Sequence, residues 1–150
     1  PGGPKIYSGT QTHEGINAVK ECAAAMQKTE ATKALLPSEL LSNAALDHAL
    51  DQSKTGMLGH TGSDQSTTKI RVERYARWLI TMGENIAYGS LTGREVVTSL
   101  LIDDGVPGRG HRKNIVNPAF TTMGVACESH PVYDVVCVMV LSGGIEPLNE

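Results

Sequence analysis

The apolar positions fall into two regimes, helical spacing through most of the chain and β-branched runs near its end. Residues 13–33 are rich in Ala, Lys, Glu and Gln, which favour helix. Ile16, Val19, Ala23 and Met26 recur there at helical spacing and predict the buried face. A second helix is expected to open at Pro37, because proline is tolerated in a first turn. Its apolar residues Leu40, Leu41, Ala44, Ala45, Leu46, Ala49 and Leu50 cover more than one face, so cover on two sides is expected. Gly56 is the expected stop. Residues 59–68 read as a loop whose Ser, Thr and Asp suit turns and a helix N-cap, with a short helix over 69–78. Residues 82–89 read as a short strand or extended turn. A helix from Thr92 or Gly93 buries Val96, Val97, Leu100 and Leu101 and stops at Asp103-Asp104-Gly105. A Gly/Pro loop over 106–110 then delivers His111. The β-branched runs 122–128 and 134–142, joined by a short polar connection, predict an antiparallel hairpin.

Helices first and paired strands last, without βαβ alternation, imply an α+β fold. The 150 residues show no internal repeat and no dividing linker, so one domain over 1–150 is expected, with 1–12 as an extended lead-in. Aromatics are only 4%, which leaves aliphatic side chains to fill the core. The net charge of -3 with no basic patch argues against nucleic acid and against a polybasic membrane anchor. No apolar run approaches the roughly 20 residues that span a bilayer. Cys127 and Cys137 flank the hairpin connection, the arrangement of a stapling disulfide worth roughly 2–3 kcal/mol. Cys22 is left over, as a buried thiol or as a link to a second copy of an otherwise monomeric chain. The pair of cysteines and the start at Pro1 suit a secreted product trimmed of a leader.

Four segments carry candidate chemistry: Leu58-Gly-His60, Gly83-Glu-Asn-Ile-Ala87, Leu101-Ile-Asp-Asp104 and Arg109-Gly-His-Arg-Lys-Asn-Ile115. Each sets a His or an acid beside glycine or at a helix end, where a ligand can approach. Two imidazoles and two carboxylates suit Zn²⁺ or another divalent ion, and also acid–base chemistry near neutral pH. The histidines are too far apart for a local metal motif.

Gly83-Glu-Asn-Ile-Ala87, then Gly110-His-Arg-Lys-Asn-Ile115, then Met123-Gly-Val-Ala126 resembles the motif order of the CAP (SCP/PR-1-like) family. The resemblance runs from about Leu36 to Gly143. It implies a three-layer α-β-α sandwich with a central antiparallel sheet, and a cleft of two His and two acids. Matched by motif, these are His60, Glu84 and His111, with the second acid on the helix before the last His. Aligning Val96-Val97 puts Asp103 there rather than Glu95, with Asp104 as a substitute. This departs from the family's usual Glu by one methylene.

The resemblance implies a secreted, extracellular binding module whose cleft takes a divalent metal, zinc among the candidates, or a small ligand. Two alternatives stand beside it. One is a metal-dependent hydrolase or peptidase, in which Glu84 would be catalytic by activating water. The other is a lipid- or sterol-binding protein, although no apolar loop is apparent. A protein partner is left open.

Blander readings attach to the rest. His48 is expected to be a hydrogen-bonded structural residue, and His13 and His130 to face solvent. Arg112 and Lys113 are solvated or paired with acids, and Asn85 ties down the turn after Glu84. Glu95 is a first-turn helix acid. Ser63 and Ser66 lack a G-x-S-x-G elbow or an orienting partner.

Overall fold

The computed structural model describes residues 13–90 and 92–148, so the lead-in read at 1–12 lies outside the described residues. In chain order the elements are α1 (Ile16–Lys28), β1 (Leu36–Pro37), α2 (Glu39–Thr55), α3 (Thr68–Glu73), β2 (Ala76–Trp78), β3 (Met82–Tyr88), α4 (Gly93–Ile102), α5 (Gly110–Ile115), β4 (Thr122–His130), β5 (Asp134–Ser142) and β6 (Ile145–Pro147).

The main sheet has the order β1-β4-β5-β3 and is antiparallel except for the short parallel pairing of β1 with β4. Alternation along β5 divides the core. Val136, Val138 and Val140 meet Leu41, Ala44, Ala45 and Ala49 of α2 on one face. Cys137, Met139 and Leu141 meet Val96 and Leu100 of α4 on the other. Each fully buried Val or Leu contributes roughly 1.5–3 kcal/mol. The result is an α-β-α sandwich, as the motifs implied. Gly124 makes the close approach of α2 to β4 possible, because a Cβ there would lie 2.1 Å from the Ser42 backbone nitrogen. Cys127 and Cys137 face each other in the β4–β5 register and form the expected disulfide, with Cα atoms 4.1 Å apart.

Several local expectations shift. α1 stops at Lys28, and its buried positions are Ala18 and Cys22, while Ile16 is 64% exposed. Small residues win that face because α1 lies close to α4, where the Cys22 thiol donates to the Leu101 carbonyl at 3.2 Å. Cys22 is therefore buried, which does not support a dimer linked through it. Pro37 belongs to β1, and Ser38 caps α2 by accepting from the Leu41 N–H. The fully buried positions of α2, from Leu41 to Gln52, form one stripe against the sheet, and Leu50 stays exposed. Gly56 closes the helix in the left-handed conformation, with φ 69°. The helix expected over 69–78 ends at Glu73, because Ala76–Trp78 is drawn into a two-stranded pairing with β6. In α4, Val97 is 40% exposed rather than buried.

Candidate functional site

His60 sits on the loop between α2 and α3, and that loop is tied at several points. The His48 ring, buried on α2, bonds the Gly59 carbonyl through Nε2 at 2.8 Å. The Gln52 amide donates to the same carbonyl at 2.7 Å. The Gly59 N–H donates to the Tyr88 hydroxyl, which itself donates to Gln52 Oε1. His48 is thus structural, and burial, its largest influence, lowers its pKa. These contacts fix the backbone immediately before His60.

The His60 side chain is 55% exposed and that of Glu84 only 3%. His60 Nδ1 donates to Glu84 Oε1 at 2.8 Å. Glu84 Oε2 accepts from Arg71 Nη2 at 2.8 Å, and Arg71 is itself buried on α3. Hydrogen bonding to Glu84 raises the His60 pKa, partly opposed by desolvation. For Glu84, burial pushes upward, but the His60 hydrogen bond and the Arg71 charge outweigh it and hold the carboxyl below its ordinary value.

The second pair is built from helix ends. Asp103 closes α4 in the left-handed conformation, with φ 53°, which an Asp tolerates better than most residues. That turn sends its buried carboxylate toward α5. Oδ1 accepts from His111 Nδ1 at 2.7 Å, and Oδ2 accepts from the His111 N–H at 2.9 Å. Arg109, the N-cap of α5, makes no side-chain cap, so Asp103 takes that role from outside the helix. His111 lies in the first turn of this short helix, whereas a bare loop was expected to deliver it.

Asn85 connects the two halves. It follows Glu84 on β3, and its amide donates to the His111 carbonyl at 3.1 Å and accepts from Asn114 at 2.8 Å. It clamps α5 to the strand, where a turn had been expected. Of the sequence-derived set, the structure joins His60 to Glu84 and His111 to Asp103. Among the described residues, no three or more His, Cys, Asp or Glu side chains gather as a ready-made metal shell.

The remaining candidates have other work. Asp104 points away from His111 and accepts from the His13 and Glu14 N–H groups. Glu95 completes a capping box with Thr92. Arg112 grips Glu21 through both terminal nitrogens at 2.7 Å and bonds the last carbonyls of α4. Ser63 bonds Asp51, and Ser66 accepts from Arg71. His130 is buried rather than solvent-facing, because its Nδ1 accepts the Val132 and Tyr133 N–H groups of the hairpin turn. Sequence reading missed Arg71. As a single Arg on a six-residue helix it carries no local signal of its burial.

A separate apolar groove of about 240 Å³ lies between α4 and the sheet, lined by Val96, Val97, Met123, Val125, Val135 and Met139 among others.

An α-β-α sandwich with two His–carboxylate pairs, one anchored on the strand of a Gly-Glu-Asn-Ile motif, defines a class, and comparison gives it a name. The model of the cysteine-rich secretory protein (CAP) family matches residues 17–141, and the chain belongs to that family. The Bacillus subtilis protein YkwD is 32% identical over 107 residues, which are 71% of this chain but only 40% of YkwD. Among solved structures, an outer surface protein from Borrelia burgdorferi superposes with a TM-score of 0.63 at 19% identity, covering 89% of this chain and 95% of its own. An extracellular SCP-domain protein from Bacillus anthracis gives 0.61 at 21% identity, covering 91% of this chain and 45% of its own. At these identities the structural likeness speaks for the fold alone.

Proposed function

We propose that this chain is an extracellular CAP-domain binding module whose two cleft histidines, His60 and His111, hold a divalent metal ion. The carrying observation is shared by both rings. Each has Nδ1 on a buried carboxylate, and neither Nε2 makes a hydrogen bond among the described residues. Metal-binding histidines characteristically show a carboxylate behind the ring, which sets the tautomer and leaves the other nitrogen bare.

Two bare imidazole nitrogens match zinc's preference for imidazole. Glu84 and Asp103 suit the role of ring holders better than that of direct ligands. Both Glu84 oxygens are engaged, one of them by a guanidinium, and both Asp103 oxygens accept hydrogen bonds. The remaining ligands would come from water or from a bound partner. A bound ion would supply Lewis acidity at that ligand. With Glu84 held from both sides, binding is favoured over a hydrolytic role. Extracellular placement is supported by the Cys127–Cys137 disulfide and by relatives described as an outer surface protein and an extracellular protein. Among the described residues, no helix is long and apolar enough to cross a membrane.

Calorimetric titration of the metal-free protein with Zn²⁺ tests the reading. Saturable heat is expected, lost in His60→Ala and in His111→Ala, and roughly 10–100-fold weaker affinity in Glu84→Gln. Absence of heat, or unchanged affinity in both histidine variants, overturns it.

A second reading, a lipid or sterol ligand, rests on the apolar groove beside α4. Native mass spectrometry of the protein from its source should then show a lipid adduct that Val97→Asp removes. Repeated absence of an adduct eliminates this alternative.

A further inference from the structure

Arg71 is the largest fully buried side chain of the described residues, at 1% exposure. Burying a guanidinium carries a desolvation penalty that rarely repays itself in stability alone. Its Nε is buried without a hydrogen-bond partner, so the two terminal nitrogens carry all of its polar contacts. Nη1 donates to the Ser66 carbonyl at 2.8 Å and to the Ser66 hydroxyl at 3.3 Å. Nη2 donates to the His60 carbonyl at 3.1 Å, to Thr68 Oγ1 at 3.4 Å and to Glu84 Oε2 at 2.8 Å.

Two of these contacts close a ring. From Nη2 one path runs to the main chain of His60, the other to Glu84 and back through Oε1 to the His60 imidazole. The same guanidinium holds the loop at residue 60 and at residue 66. Without it, the backbone would still be tied at Gly59, but the loop would lose its ties at residues 60 and 66, and the more than half exposed His60 ring would rest on one hydrogen bond to a carboxylate free to turn.

We infer that Arg71 is the positioning residue of the His60–Glu84 pair, locking its backbone, carboxylate and imidazole into one geometry. Its consequence for metal affinity rests on the proposed function; its effect on the ring does not. In the His111 half, among the described residues, no guanidinium meets the Asp103 carboxylate: Arg109 donates to the Asp103 main-chain carbonyl at 2.7 Å and grips Glu14, and Arg112 is directed to Glu21 and to the α4 carbonyls.

Long-range ¹H–¹⁵N correlation spectra of the metal-free protein, recorded at a pH where both rings are neutral, test this. In the native chain His60 should be a single tautomer, protonated on Nδ1. In Arg71→Met that signature should give way to a tautomer mixture, while the His111 signals, an internal control for folding, stay in place. Zinc affinity should fall roughly 10–100-fold in the same variant, the usual effect of removing an outer partner of a ligand. Should Arg71→Met not fold, Arg71→Gln takes its place. Its neutral amide cannot span Ser66, His60 and Glu84 together, and the same mixture is expected. A His60 tautomer unchanged in a folded Met or Gln variant overturns the inference, as does a native His60 that is not protonated on Nδ1. Failure of the native protein to bind zinc would count against the proposed function alone, because the tautomer is read without metal.

Discussion

The two His–carboxylate pairs look alike at the ring and differ behind it. His111 and Asp103 lie close in sequence and are assembled by the end of one helix and the start of the next. His60 and Glu84 come from a loop and a strand and bond each other directly, while a third, buried side chain from α3 ties both the carboxylate and the His60 main chain from behind. One pair is a property of local chain geometry. The other is a property of the packed fold. The same ring presentation is reached once by helix capping and once by a buried ion pair, and the two should fail differently.

The largest effect should follow from Glu84→Ala. It leaves the Arg71 charge buried without its carboxylate and should destabilise the protein by about 3–5 kcal/mol in urea titrations. A loss below about 1 kcal/mol would mean that the buried triad contributes little to the fold. Asp103→Asn should lose less, roughly 1–2 kcal/mol, because Asn keeps the left-handed turn and one acceptor while losing the charge-assisted bonds. Equal losses in the two variants would mean that the two pairs are held with the same strength.

A smaller effect is expected in the pH dependence of the His60 half. The raised His60 pKa contributes stability that is complete below the ordinary imidazole value of 6.5 and is lost as pH rises through the raised value. The lowered Glu84 pKa contributes stability that is complete above the ordinary carboxyl value of 4.5 and is lost as pH falls through the lowered value. The pair should therefore stabilise most between these two values. In melting curves against pH, His60→Ala should flatten the alkaline limb and Glu84→Gln both limbs. Limbs that persist unchanged would assign the dependence to other groups. Smallest of all, Thr92→Ala removes the side-chain cap of α4 and should cost about 1 kcal/mol. His111 ring signals should not move in that variant if Asp103, at the far end of α4, is what holds the ring.

The same contrast explains what could be read from the chain alone. The helix start at Thr92, the first-turn acid Glu95 and the stop at Asp103 follow from local rules, and so does the Cys127–Cys137 pairing across a hairpin. Motif order pointed to the family, which the comparison bears out, and singled out His60, Glu84 and His111 as candidates. Contacts between distant parts were not legible. A single Arg on a six-residue helix reads as solvated, and only the meeting of α3 with β3 makes Arg71 a buried partner of Glu84. Ala76–Trp78 is too short to announce a strand until β6 pairs with it. His130 sits in a polar connection, and its burial comes from the turn that folds back on its ring. α1 was read by its largest apolar residues, yet the helix packs on its smallest ones because α4 lies so close.

Diffraction from zinc-soaked crystals, with data above and below the zinc absorption edge, would locate the ion relative to all four side chains. An anomalous peak bonded to Nε2 of His60 and of His111 is expected, with Glu84 and Asp103 still hydrogen-bonded to the Nδ1 atoms. A peak coordinated directly by either carboxylate, or none near the two rings, would contradict that arrangement.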